Sequence, residues 1–222
     1  MSDVVPTILA ETEHWLVLDK PAGWHSVAGR SDAAPDGGGV VATWLARTMP
    51  AFAALEESGL VHRLDRDTSG CLVVARDAVT QADLRRRFGL TADIRKVYVA
   101  RARKGALRDE GAVRLFFSSR HKGSVKSTVR ETGEEREAGR LRWKVLARDA
   151  AGDTVEVELI GPGRRHQIRA GLAFLGAPLV GDPLYGGAPA ATLHLHARRI
   201  TIDGRTVEAP MPEWAQTNRR VT

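Results

Sequence analysis

The chain has 222 residues, 43% hydrophobic and 27% charged, a composition that fits a globular domain and excludes disordered or fibrous architectures. Lys and Arg number 33 against 27 Asp and Glu, a formal charge of +6; this suits a polyanionic partner, although charge alone also serves solubility. A single cysteine, Cys71, excludes an intrachain disulfide or a thiolate metal site and fits a reducing compartment. Apolar runs such as Val40–Ala46 stop far short of the roughly 20 residues that cross a bilayer. The opening MSDVVPTILAETEHW lacks the basic-then-apolar pattern of a signal peptide. The expectation is one domain over 1–222, cytoplasmic and monomeric, with no membrane partner.

In chain order, His14–Lys20 (HWLVLDK) reads as a strand that ends at Pro21, where the amide donor is lost. Asp36–Gly39 (DGGG) reads as a loop, and Val40–Met49 as a short helix. Cys71–Arg76 (CLVVAR) is apolar almost throughout, as in a strand covered on both faces. A surface helix over Ala78–Phe88 is expected to end at Gly89. Lys96–Ala102, Leu141–Arg148 and Thr154–Ile160 alternate with strand periodicity, the last two joined across Asp149–Asp153. Arg164–Gly176 carries Ile168, Leu172 and Leu175 at helical spacing. His194–Ile202 and Thr206–Ala209 flank Asp203 and Gly204, which accept the positive φ of a two-residue hairpin turn. About eight strands and three helices, joined mainly by hairpins, predict an α+β fold: a mixed, largely antiparallel sheet with flanking helices.

The densest polar segment is Val61–Gly70 (VHRLDRDTSG), immediately before the buried strand. There Arg63 and Arg66 flank Asp65, and cationic neighbours favour the ionised carboxylate that a nucleophile or general base needs. The same residues also read as an Asx turn with Thr68 and Ser69 satisfying loop amides. Ser69, His62 and Asp65 could be drawn as a hydrolase triad, but no Gly-x-Ser-x-Gly elbow surrounds Ser69. His194, His196 and His166 could be drawn as a metal site, but no acidic or thiol cluster completes it. Arg114–Arg130 holds five Arg or Lys with Phe116 and Phe117; it reads equally as an RNA-facing insertion or as a solvated hairpin with buried phenylalanines. The surrounding 105–140 is expected to be a basic, mobile insertion. Arg85, Arg86 and Arg87 read as a second cationic surface or as a solvated helix face.

The run His62–Gly70 matches HRLDxxTSG completely and resembles the RluA-type RNA pseudouridine synthases. Lys20–Gly23 (KPAG), Arg95–Ala100 (RKVYVA), Gly163–Arg169 (GRRHQIR), Leu175–Tyr185 (LGAPLVGDPLY) and Leu193–Ala197 (LHLHA) are similar to that family's other motifs, in order. The resemblance implies an isomerase that converts uridine to pseudouridine in ribosomal or transfer RNA, without cofactor or metal. By motif, Asp65 is the nucleophile, Tyr98 stacks on the base as a candidate acceptor of its C5 proton, and Arg169 pairs with Asp65. Arg63 helps to hold the displaced nucleotide; His62, Lys96, Arg164 and Arg165 complete the expected substrate contacts. Asp65 could attack C1′ of the ribose or add to C6 of uracil, and both courses stay open. Many relatives carry an N-terminal RNA-binding module that is not expected here, and Arg165 stands where Thr or Ser is usual. The competing reading is a non-catalytic RNA-binding protein or RNA-folding chaperone on the same scaffold.

Overall fold

The computed structural model describes residues 4–28, 39–90, 93–119 and 124–216. Their strands are β1 (Thr7–Glu11), β2 (Trp15–Lys20), β3 (Ser69–Ala75), β4 (Arg95–Ala102), β5 (Glu110–Ser119), β6 (Ser127–Arg130), β7 (Ala138–Asp149), β8 (Gly152–Ile160), β9 (Leu195–Ile202) and β10 (Arg205–Glu208). They form one sheet in the order β1-β2-β3-β9-β4-β8-β7-β5-β6, with β10 added to β9. Every described pairing is antiparallel except β3 with β9, where Ser69 lies opposite His196 and Gly70 opposite Ala197. The fold is therefore the expected α+β class, with a mixed and mainly antiparallel sheet.

The apolar runs predict the centre of this sheet well. In β2 and β3 almost every side chain is buried, because β1, β3 and β9 flank them and helices cover a face. Cys71 is core, and burial pushes its thiol up to about 11, which removes thiolate reactivity at neutral pH. The strand count was low. β1, β5 and β6 are additional strands, and β5 pairs with β7 from Glu110↔Lys144 to Phe116↔Ala138, so the strands within 105–140 belong to the main sheet. Phe116 and Phe117 are buried, which decides that segment's aromatics in favour of packing over base stacking.

Three α-helices flank the sheet: α1 (Val41–Thr48), α2 (Ala78–Leu90) and α3 (Gln167–Phe174). Helix α1 seats Val41 and Leu45 in the core, each worth about 1.5–3 kcal/mol of apolar burial. At the start of α2 the Asp77 carboxylate accepts from the Thr80 N–H at 2.8 Å, a side-chain cap. Helix α2 passes through Gly89 to Leu90, so Gly89 is not its terminating cap. Helix α3 is shorter than expected because His166 precedes it in the left-handed conformation, φ 53°, which leaves Arg164 and Arg165 outside the helix. The Asp149–Asp153 connection is tighter than expected, with Asp149 pairing Gly152 across two residues. Asp203 and Gly204 adopt φ values of 53° and 73°, as the hairpin turn requires. The loop expected at Asp36–Gly39 lies, apart from Gly39, outside the described residues.

Gly70, the last residue of the HRLDxxTSG run, has φ +103°, and a β-carbon there would lie 2.3 Å from the Ala197 carbonyl oxygen. The parallel crossing of β3 and β9 thus needs glycine. Gly70→Ala is expected to cost more than about 2 kcal/mol of unfolding free energy, read as a lower urea midpoint; an unchanged midpoint would show that the crossing can relax.

Candidate active site

Asp65 sits on the loop between the 3-10 turn at Glu56–Gly59 and β3, and the loop backbone is tied down on both sides of it. The Ser26 hydroxyl donates to the Leu64 carbonyl at 2.9 Å and accepts from the Leu64 N–H at 3.0 Å. The Arg66 carbonyl accepts from the Gly23 N–H and from Nζ of Lys20, both at 2.9 Å, and the Asp65 carbonyl accepts from the Thr68 N–H at 3.1 Å. Lys20 is fully buried. Its Nζ also donates to the carbonyls of Pro21 at 2.8 Å and Trp24 at 2.7 Å, so three acceptors take the three hydrogens of an ammonium. Burial pushes this amine down to about 7, against the pull of the Asp67 and Asp65 charges. The three carbonyls fix the position of its nitrogen.

Opposite the loop, α3 presents Arg169. Its Nε and one terminal nitrogen donate to the two oxygens of Asp182 at 2.8 and 2.9 Å, and the other terminal nitrogen donates to Oδ2 of Asp65 at 3.2 Å. Asp182 is fully buried, and its Oδ1 also accepts from the Leu184 N–H at 3.0 Å. Burial acts against the guanidinium charge, but Asp182 and Asp65 outweigh it and hold Arg169 above its ordinary value. Tyr185 lies against Arg169, 5.6 Å from guanidinium carbon to ring centre, and Nε2 of His166 stands 3.8 Å from Oδ1 of Asp65. The Asp65 side chain keeps 24% of its surface open, so one carboxylate on a charged, hydrogen-bonded platform faces solvent.

Tyr98 comes from the middle of β4, where the register with β9 shifts between Val97↔Arg199 and Val99↔His196. That bulge sets two residues of β9 against Tyr98, a device that redirects side chains beside sites. Tyr98 is buried; burial, with the Asp65 charge within reach, drives its phenol above its ordinary value, so it stays protonated. Lys96, two residues earlier on the same face, donates to the Gly161 carbonyl at 2.5 Å and lies 5.7 Å from the Phe88 ring centre. His62 stacks on that ring at 4.4 Å, and its Nε2 accepts from the Val73 N–H at 3.1 Å. His62 and Lys96 thus form a packed wall, with their polar atoms engaged by backbone.

The structure brings Asp65, Arg169 and Tyr98 together and distributes the other expected residues differently. Arg63 is exposed beside the site. Nε of Arg164 donates to the Ala138 carbonyl at 2.7 Å, while Arg165 donates to the carbonyls of Ser124 and Val125 at 2.5 and 3.1 Å. Arg165 therefore fastens the β5–β6 hairpin, and Arg164 is tied through its Nε to the Ala138 carbonyl. Arg85 pairs with Glu56 and Glu57, Arg86 with Asp83, and Arg87 with Asp83 and Asp203, a network of surface ion pairs. Ser69 bonds His196 at 2.8 Å, not His62, and His194 stacks on Trp214 at 4.6 Å. The three histidines do not converge; among the described residues no group of three His, Cys, Asp or Glu could hold a metal.

Sequence reasoning assigned no role to Asp182, Tyr185 or Lys20, although all three lie in the quoted motifs. It considered His166 only as a metal ligand. The signal was present for Asp182 as a lone acid between Gly181 and Pro183 in a turn, but its pairing with Arg169 is a tertiary contact.

The family model described as RNA pseudouridylate synthase matches residues 14–174. The chain is 39% identical over 189 residues to the ribosomal large subunit pseudouridine synthase D of Xanthomonas campestris, covering 84% of this chain and 53% of that protein. It thus spans about half the length of that relative. It is 32% identical to the dual-specificity RNA pseudouridine synthase RluA of Yersinia pestis, over 92% of this chain and 95% of that one. The solved structure of human RNA pseudouridylate synthase domain containing 4 superposes with a TM-score of 0.72 at 21% identity, covering 94% of this chain and 89% of that one; at that identity the likeness concerns the fold.

Two expectations follow from the supports of this site. Lys20→Met strands the Pro21 and Trp24 carbonyls and should cost about 2 kcal/mol of stability, with a matching loss of protection from hydrogen exchange at Leu64–Thr68; unchanged exchange there would assign the loop's order to its other ties, Ser26, Gly23 and Thr68. Burial, with Lys96 beside it, pushes His62 from 6.5 down to about 3. The folded state then binds fewer protons, so this stability is full above pH 6.5 and is lost as pH falls toward about 3. Urea unfolding at pH 7 and pH 5 should give a smaller acid loss for His62→Gln than for the wild type, and equal losses would count against the buried neutral ring.

Proposed function

Because the chain belongs to the RNA pseudouridylate synthase family, we propose that it isomerises uridine to pseudouridine in folded RNA, ribosomal or transfer, with Asp65 as nucleophile. The observation that carries this reading is the open carboxylate of Asp65, 3.2 Å from a buried guanidinium that Asp182 holds from behind. The reaction breaks the bond from C1′ to N1, turns the detached uracil and joins C1′ to C5. The C5 hydrogen leaves as a proton, and N1 ends protonated, so substrate and product are isomers and no redox partner is needed. A base in a duplex or loop must first leave its stack to reach such a site.

Each side chain has a part that its surroundings support. Asp65 forms either a transient ester at C1′, displaced when C5 bonds to C1′, or an adduct at C6, expelled when the C5 proton leaves and the ring double bond re-forms. Arg169 balances the carboxylate charge before attack and after release, without needing to move. Tyr98 supplies a flat, apolar surface for uracil; with its phenol held neutral, it can accept the C5 proton only by passing its own onward. Arg63, exposed two residues before Asp65, takes a phosphate or fills the gap that an extruded nucleotide leaves. The bacterial relatives and the cytoplasmic character read from sequence favour a cytoplasmic site of action.

The test uses RNA transcripts and total RNA carrying tritium at C5 of uridine. Wild-type protein should release tritium in step with pseudouridine formation, and Asp65→Asn should lower release by more than about 10³-fold while RNA affinity stays within a few-fold. Release at the wild-type rate by Asp65→Asn would remove it as nucleophile; RNA binding without any release by the wild type would leave an RNA-binding protein.

A further inference from the structure

A file of hydrogen bonds runs from the β5–β6 hairpin to His166, whose ring stands beside the candidate nucleophile. The Ser127 N–H donates to the Tyr185 hydroxyl oxygen at 2.8 Å, and that oxygen lies 2.9 Å from Nδ1 of His166. With Ser127 donating into it, the Tyr185 hydroxyl has the His166 ring nitrogen in reach for its own proton. Donation there makes Nδ1 an acceptor and leaves the imidazole hydrogen on Nε2. The other end of the ring agrees: Nε2 faces Oδ1 of Asp65 at 3.8 Å, and an ionised carboxylate only accepts. The ring is enclosed, with 9% of its side chain open, and the backbone beneath it is held at φ 53°, ψ 25°, a conformation that a residue with a β-carbon keeps only under constraint from its surroundings.

We propose that His166, in the Nε2–H tautomer set by Tyr185, is a positioning residue that fixes the Asp65 carboxylate for attack. Arg169 holds Oδ2, and His166 supplies the second donor, to Oδ1, closing the remaining gap when RNA fills the site, as such bonds commonly tighten on binding. The carboxylate plane is then set by two donors. The ring remains a neutral donor in this environment: burial lowers its proton affinity, Arg169 and Arg165 act in the same direction, and Asp65 and Asp182 oppose them. Ser127 extends the file outward, since its hydroxyl donates to the Arg165 carbonyl at 2.8 Å and Arg165 clamps Ser124 and Val125. The hairpin and the nucleophile are thereby joined through Tyr185 and His166. This inference rests on the reading of Asp65 as the nucleophile of a uridine isomerase.

The experiment combines side-chain nitrogen NMR with kinetics on His166→Gln, His166→Phe and Tyr185→Phe. Wild-type spectra at neutral pH should show His166 protonated on Nε2, and Tyr185→Phe should mix the two tautomers. His166→Phe should lower kcat by roughly 10- to 100-fold with KM within about twofold, and His166→Gln, whose amide can donate, should recover most of that loss. A wild-type ring protonated on Nδ1, an undiminished kcat for His166→Phe, or equal losses for Phe and Gln would overturn the proposal. Wild-type protein that releases no tritium would instead sink the synthase reading, and the tautomer measurement would still decide the geometry claimed here.

Discussion

One buried guanidinium organises this site. Arg169 sits between two carboxylates, and Asp182 takes two of its nitrogens while Asp65 takes the third. An arginine buried on α3 without a partner would be strongly unfavourable, and an isolated pair recovers little beyond its own desolvation. The fully buried Asp182 satisfies the charge and fixes the planar fork. What remains is one directed N–H aimed at a carboxylate that still meets solvent. The turn after α3, the helix and the loop before β3 must all dock for this arrangement to exist, so the site is also a test of the fold.

The loop that carries Asp65 owes its order to backbone contacts. Ser26 serves both polar groups of Leu64, while Gly23 and Lys20 share the Arg66 carbonyl. Lys20 reaches that carbonyl from the end of β2, and Gly70 lets β3 cross β9 in close contact just beyond the loop. Rigidity therefore comes from the sheet, and the loop side chains stay available to a substrate, the arrangement that favours precise sites on fixed scaffolds. The bulge between β4 and β9 adds Tyr98 from the opposite side.

The basic segment shows how a composition signal divides once it is folded. Phe116 and Phe117 turn inward, Arg130 pairs with Glu137, and Arg165 reaches across to the hairpin's carbonyls. Much of the positive charge that looked available to RNA is engaged within the protein, as it is along α2. Arg63 remains exposed next to the site. Net charge described the chain as a whole, whereas the surface near Asp65 depends on which arginines already have partners.

The sequence alone determined the family, the α+β class, the apolar central strands and the Asp203–Gly204 turn, and it singled out Asp65, Tyr98 and Arg169 as candidates. Those features are local patterns: an apolar run, a turn dipeptide and contiguous motifs each lie within a few residues of themselves. It could not determine that Asp182 holds Arg169, that Tyr185 and Ser127 meet His166, or that β5 and β6 complete the sheet. In each of those cases the partner lies on a different element, and only packing decides which polar groups lose water together and must satisfy one another. The same reason explains the arginines: a guanidinium reads identically in sequence whether it will face a phosphate or a backbone carbonyl, and the tertiary structure alone assigned Arg164 and Arg165 to carbonyls.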